Sequence, residues 1–190
     1  MVNKDNGQEK GTVYRTMRLK KREVTQREEL RQILEECKVV RIGTSDEEGM
    51  LIVPLNYGYE WKTDAEGKEK LQIYFHSARD GRKVEAFAKN PKVAFELDCA
   101  GSVIRGDYAC AYSFAYRSIM GNGTVRLLEK REEKQKALDQ IMCHMAPDAK
   151  VKFEDAMIER VNVYCLEAEH FTGKMRQDER ERKNDTGSTN

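Results

Sequence analysis

The sequence predicts a mainly β domain, a small antiparallel barrel of about six strands with a few added helices. Three observations lead there. Apolar, β-branched and aromatic runs of strand length recur at 39–44, 50–59, 71–75, 92–97, 107–128 and 160–168. Turn compositions such as Asp46-Glu47-Glu48-Gly49 join neighbouring runs as hairpins. Helical periodicity is too sparse for a doubly wound parallel sheet, which needs a helix after nearly every strand.

At 190 residues the chain has room for one domain with a proper core. Residues 14–176 read as that domain, and 1–13 and 177–190 as polar and charged tails too poor in apolar side chains to fold alone. Lys and Arg number 34 against 33 Asp and Glu, and the resulting net charge of +1 argues against a general nucleic-acid binder. No segment has the length and apolarity of a membrane span and no apolar signal core opens the chain, so the expected setting is cytoplasmic, with no membrane partner. The five cysteines form no C-x-x-C pair and sit mostly in apolar runs, which predicts reduced, buried thiols. No two of His76, His144 and His170 stand at ligand spacing, so no metal centre is expected.

In chain order, the basic run Arg15–Arg22 reads as a solvated arm or interface strap, with RNA binding as the alternative. Thr25-x-x-Glu28 opens a helix whose Leu30, Ile33, Leu34 and Cys37 share one core-facing stripe. Pro54 lies inside the second strand and cannot donate to a ladder. It therefore marks an edge or a bulge, where the backbone of Val53–Asn56 either faces a ligand or blocks edge-to-edge aggregation. Residues 61–70 read as a polar excursion. Tyr108, Tyr112, Phe114 and Tyr116 alternate at period two, which puts their rings on one sheet face. That face is either a stacking platform for a planar ring or a surface packed against a helix or partner. A helix over 129–145 carries Leu138, Ile141, Met142 and Met145, Pro147 ends it, and a short helix follows near Phe153–Met157.

The stretch Leu71–Val93 organises the rest. Its apolar strand ends at His76 and Ser77, and an amphipathic helix follows with Val84, Phe87 and Ala88 on one face, stopped by Asn90-Pro91. A strand that turns into a helix exposes unpaired N–H groups at the positive end of the helix dipole. Arg79, Arg82 and Lys83 add cationic donors, which suits a phosphate. The competing reading is a capped helix with solvated charges, since Ser77 and Asp80 have capping-box spacing. Neither G-x-x-x-x-G-K-[ST] nor G-x-G-x-x-G is present at this turn, which disfavours nucleoside triphosphates and dinucleotides on parallel sheets.

The run Y-F-H-S-A-R-D-G-R-K-V-E-A-F-A-K-N-P-K-V resembles the flavin-phosphate segment of the pyridoxamine 5'-phosphate oxidase superfamily, the FMN-binding split β-barrels. I-V-P-L-N-Y-G-Y, Y-R-S-I-M-G-N-G and F-T-G-K are similar to the nitroimidazole-resistance-related branch, and the resemblance spans about Met17 to Arg176. It implies a homodimer with FMN at the subunit interface. Arg82 and Lys83 match the basic pair on the flavin phosphate, and Phe75, His76 and Ser77 match the strand end beside it. Val53, Pro54, Leu55 and Asn56 match the backbone along the isoalloxazine. Ser118 stands where the oxidases often have a glutamine. The C-terminus lacks the oxidases' Arg-Leu-x-Pro-like substrate motif, so pyridoxamine phosphate oxidation is not expected. The implied activity is FMN-dependent reduction of small aromatic or nitro compounds, with His76 as candidate proton donor. A non-enzymatic flavin- or haem-binding module is the alternative.

Overall fold

The computed structural model describes residues 14–150 and 152–177, so both predicted tails lie almost wholly outside the described residues. The strands are β1 (Glu23–Val24), β2 (Val39–Asp46), β3 (Gly49–Asn56), β4 (Gly58–Thr63), β5 (Glu69–Ser77), β6 (Lys92–Ile104), β7 (Ser113–Leu127) and β8 (Asn162–Arg176). The helices are α1 (Arg27–Glu36), α2 (Arg82–Lys89), α3 (Arg131–Met145) and α4 (Asp155–Glu159). The strands form one antiparallel sheet in the order β3-β2-β6-β7-β8-β5-β4, with β1 pairing β8.

The two outermost strands of that order, β3 and β4, are consecutive in the chain and separated by Tyr57 alone, so the sheet must curl back on itself. A single apolar run changes partner at Tyr57, from β2 to β5. This corrects the expectation of six strands and one run over 50–59, and it turns the expected polar excursion at 61–70 into the β4–β5 hairpin. Tyr57 is fully buried and donates its hydroxyl to the Leu34 carbonyl at 2.7 Å, which pins the switch to α1. Gly58 is required there because a Cβ would fall 2.3 Å from the Gln140 backbone of α3.

Ile42, Leu71, Ile73, Phe75, Phe95, Leu97, Ile119 and Leu166 fill the barrel, and Leu30, Ile33 and Leu34 of α1 close onto them as their periodicity predicts. A second cluster, with Leu138 and Ile141 of α3 against Tyr74, Val163 and Cys165, packs outside the barrel. Each such side chain contributes about 1.5–3 kcal/mol on burial. α2 is anchored by Phe87, edge-on to the stacked pair Phe75 and Tyr164, whose centroids are 5.2 Å apart. Its buried face is Ala86 and Phe87, with Val84 half-buried, and Ala88 is exposed rather than on that face.

Other expectations are corrected. β6 runs on through Gly101 with a bulge after Ala100, where a loop was expected. Tyr108 precedes a 3-10 turn over Ala109–Ala111, so only Phe114 and Tyr116 of the aromatic series lie on β7. Cys37 and Cys99 are joined by a disulfide with Cα atoms 5.5 Å apart, and Cys110 and Cys143 are exposed, so only Cys165 is a buried free thiol. α1 has Gln26 at its N-cap and α2 has Gly81, neither with a side-chain cap, so neither sequence capping box forms. Among the described residues, no helix is long and apolar enough to cross a membrane.

Candidate functional site

Where β3 gives way to β4, the barrel has an open seam. Gly58 is registered with Tyr74, and the same register extended two and three residues back along the chain would bring Asn56 level with His76 and Leu55 level with Ser77. β3 does approach β5, but no ladder joins them among the described residues, because β3 pairs β2 and β5 pairs β8 on their other edges. Two strand edges with unused N–H and C=O groups therefore face one another. Pro54 sits on this edge strand, as its missing N–H requires. The sequence-predicted segments Val53–Asn56 and Phe75–Ser77 are thus brought together, and α2 begins directly beyond them. The Phe75 ring points into the core, so only its backbone reaches the seam. Ser77 is buried and donates its hydroxyl to the Ala78 carbonyl at 2.7 Å.

The three cations of the turn divide. Arg79 is drawn away and donates to the Glu159 carbonyl at the end of α4, which removes it from the site. Arg82 is held in two-point geometry by Asp46, with Nε to Oδ2 at 2.6 Å and Nη2 to Oδ1 at 2.8 Å. Hydrogen bonds from Arg82, aided by the Glu48 backbone N–H, hold the Asp46 carboxyl down at about 2. Lys83 is half-buried and has no carboxylate partner among the described residues; its charge is felt by His76 instead. His76 lies on the exposed side of β5. The protein around it removes part of its hydration and, with the Lys83 charge, pushes the imidazole below its usual pKa. A neutral imidazole at pH 7 is a weak proton donor until an anion arrives beside it.

Ser118 is not part of this cluster. It is registered with Lys174 on β8, whereas Ser77 is registered with Asn162, twelve positions along the same strand. That is about 40 Å of extended chain. Ser118 is itself buried, with its hydroxyl directed to the Lys174 carbonyl.

The residues missed by the sequence reading are Asp46 and Glu48, which close on Arg82 from the β2–β3 turn. Their acidic turn composition was visible, but nothing local tied it to a helix 36 residues away. The groove between them and α2, with a volume of about 270 Å³, is lined by Asp46, Glu47, Glu48, Arg82, Glu85 and Lys89 among others.

The turn fits a phosphate group through one guanidinium already gripping a carboxylate, one ammonium without a carboxylate partner among the described residues, and the N–H groups of Arg82 and Lys83 that open α2, the Val84 N–H being donated to the Gly81 carbonyl at 2.9 Å. The two open strand edges fit the polar rim of a planar ring. The sequence model of the pyridoxamine 5'-phosphate oxidase family matches residues 26–175. No curated protein matches the sequence. Among solved structures, a protein from Bacteroides thetaiotaomicron assigned to 5-nitroimidazole antibiotic resistance is 27% identical with a TM-score of 0.66, covering 80% of this chain and 86% of its own. The FAD and haem binding protein from Mycobacterium smegmatis is 16% identical with a TM-score of 0.70, covering 88% of this chain and 81% of its own. The flavocytochrome Anf3 from Azotobacter vinelandii is 16% identical with a TM-score of 0.69, covering 88% and 78%. At 16% identity the last two show the shared fold alone.

Proposed function

Because the chain belongs to the pyridoxamine 5'-phosphate oxidase family, we propose that it binds FMN along the β3–β5 seam and reduces small aromatic or nitro compounds. The observation that carries this reading is the seam itself: two unpaired strand edges that end at an uncompensated lysine. Lys83 and Arg82 hold the phosphate, assisted by the N-terminus of α2, and the Val53–Asn56 backbone orients the ring. Bound flavin supplies the electron transfer, which is why the chain needs no nucleophile or carboxylate pair of its own. His76 stands where a phosphate or reduced ring would raise its pKa and let it hold a proton. The likeness to the nitroimidazole-resistance protein supports nitro compounds as the substrate class. FMN is favoured over FAD because an adenylate would extend into the charged turn, where no second glycine-rich cradle is present.

The functional unit in this reading is an isologous homodimer. Met50 (81% exposed), Ile52 (72%) and Met120 (48%) leave apolar surface on the outer face of the sheet. Gly43 and Ala94, in register with Ile52, flatten that face between them. Ser118 is too far along β8 to meet the flavin of its own subunit, so it would serve the site of a second copy.

The test is a visible absorbance spectrum of purified protein, titration with FMN and FAD, and turnover of a 5-nitroimidazole with NAD(P)H. A flavin spectrum, tighter FMN than FAD binding and saturable turnover are expected. Flavin binding without turnover would leave a flavin-binding module without reductase activity, and tighter FAD binding would overturn the cofactor assignment. Light scattering checks the dimer; a monomer with full flavin affinity would refute it.

A further inference from the structure

Arg82 is met by two carboxylates of unequal tenure. Asp46 has a side chain only 13% exposed and takes the Nε and Nη2 donors in two-point geometry. Its Oδ1 also accepts the Glu48 backbone N–H at 2.9 Å, which fixes the carboxylate within the β2–β3 turn. Glu48 has a side chain 75% exposed and stands 3.5 Å from Nη1, a loose contact through a mobile type of side chain. A guanidinium held along one edge presents its other edge in a fixed plane, which is the geometry a phosphate takes in bidentate fashion. The same turn is tied to the far end of α2 by Lys89 with Glu47 and by Asn90 with Ser45, so the turn and the helix hold a fixed relation.

We propose that Asp46 is a positioning residue that aims Arg82 at the flavin phosphate, and that Glu48 is a displaceable carboxylate occupying the donor edge which the phosphate takes. This rests on the phosphate reading of the turn given above. The two acids therefore act with opposite sign. Asp46 aids phosphate binding by holding the guanidinium, and Glu48 opposes it by competing for Nη1 and repelling the incoming dianion.

The experiment measures dissociation constants of FMN and of riboflavin, which shares the ring and lacks the phosphate, by fluorescence quenching of the full-length protein. Wild type is compared with Arg82→Ala, Asp46→Asn and Glu48→Gln. Arg82→Ala should weaken FMN about tenfold, as loss of a charge-assisted hydrogen bond does, and leave riboflavin unchanged. Asp46→Asn should weaken FMN by several-fold with riboflavin unchanged, and Glu48→Gln should tighten FMN about two- to fivefold. If Arg82→Ala leaves the FMN-to-riboflavin ratio at its wild-type value, the phosphate reading itself fails. If Arg82→Ala weakens FMN but Asp46→Asn tightens it, Asp46 is a second competitor and the positioning role is refuted. Glu48→Gln lies on an exposed side chain and does not endanger folding. Unchanged FMN affinity in that variant overturns the displacement role even if Asp46→Asn proves too unstable to assay.

Discussion

Asp46 and Glu60 carry the same electrostatic signature and do different work. Both carboxyls are held down at about 2. Around Glu60, burial pushes the other way, but Lys136 at 2.6 Å, Lys62 at 2.9 Å and the Tyr74 hydroxyl at 3.0 Å outweigh it. This cluster fastens α3 to β4 through the Lys136–Glu60 ion pair. Around Asp46 the cation is Arg82, the β3 and β5 edges are joined by no ladder among the described residues, and Lys83, one residue on, has no carboxylate partner among them. A depressed carboxyl therefore marks either a joint or a site. What separates the two is whether unused hydrogen-bonding groups and uncompensated charge lie beside it.

The joint breaks hardest at Gly58. A Cβ there meets the Gln140 backbone at 2.3 Å, and backbone cannot rotate out of the way. Gly58→Ala should destabilise the protein by roughly 3 kcal/mol, a fall in melting temperature of about 6–12 °C. A melt within 2 °C of wild type would mean that α3 is not fixed to β4 at this point. Next comes the site. Lys83→Ala should weaken FMN about tenfold or more while leaving the cofactor-free melting temperature unchanged or slightly raised, because a first-turn lysine opposes the helix dipole. Unchanged affinity would move the phosphate elsewhere, and a lower melting temperature would reveal a structural partner for Lys83.

Glu60→Gln tests the joint without touching the site. Loss of the charge-assisted bonds to Lys136 and Lys62 should cost about 1 kcal/mol of stability and leave the ratio of FMN to riboflavin affinity untouched. Stability from the wild-type Glu60 is present above its unfolded pKa near 4.5 and is lost as pH falls toward 2. The Gln variant should therefore flatten the acid limb of a stability profile. A shift in flavin selectivity instead would dissolve the distinction between joint and site.

Local patterns carried much of the fold. The stripe Leu30, Ile33 and Leu34, the edge position of Pro54 and the strand–turn–helix at Ser77–Arg82 all rest on neighbours within a few residues. What stayed hidden depends on contacts across the chain. The partner switch at Tyr57 lies inside an unbroken apolar run, and only the close approach of α3 demands a glycine there. Arg79 looked like a phosphate ligand because its partner is a backbone carbonyl of α4, which has no sequence signature. Cys37 and Cys99 are 62 residues apart, so their pairing could not be read from spacing. The period-two aromatics broke at Ala109–Ala111 because alternation of rings does not distinguish a strand from a short turn that happens to hold small residues.

The smallest expected effect probes the link between Lys83 and His76. Burial and then the Lys83 charge lower the His76 pKa, so between that value and about 6.5 the unfolded chain binds the proton and the folded one does not. Stability from this residue is complete above pH 6.5 and declines as pH falls through that window. Removing the ammonium in Lys83→Ala should raise the His76 pKa part of the way back, with burial accounting for the remainder. A phosphate dianion beside the same ring should raise it further, so FMN binding takes up a fraction of a proton and tightens modestly as pH falls from 8 to 6.5. Riboflavin affinity should stay flat over that range, and the phosphate's own second pKa near 6 sets the lower limit of the window. Titration of the His76 ring by NMR in wild type, in Lys83→Ala and with FMN bound reads all three values. An imidazole that ignores both the missing ammonium and the bound flavin would place His76 outside the site and remove its candidacy as proton donor.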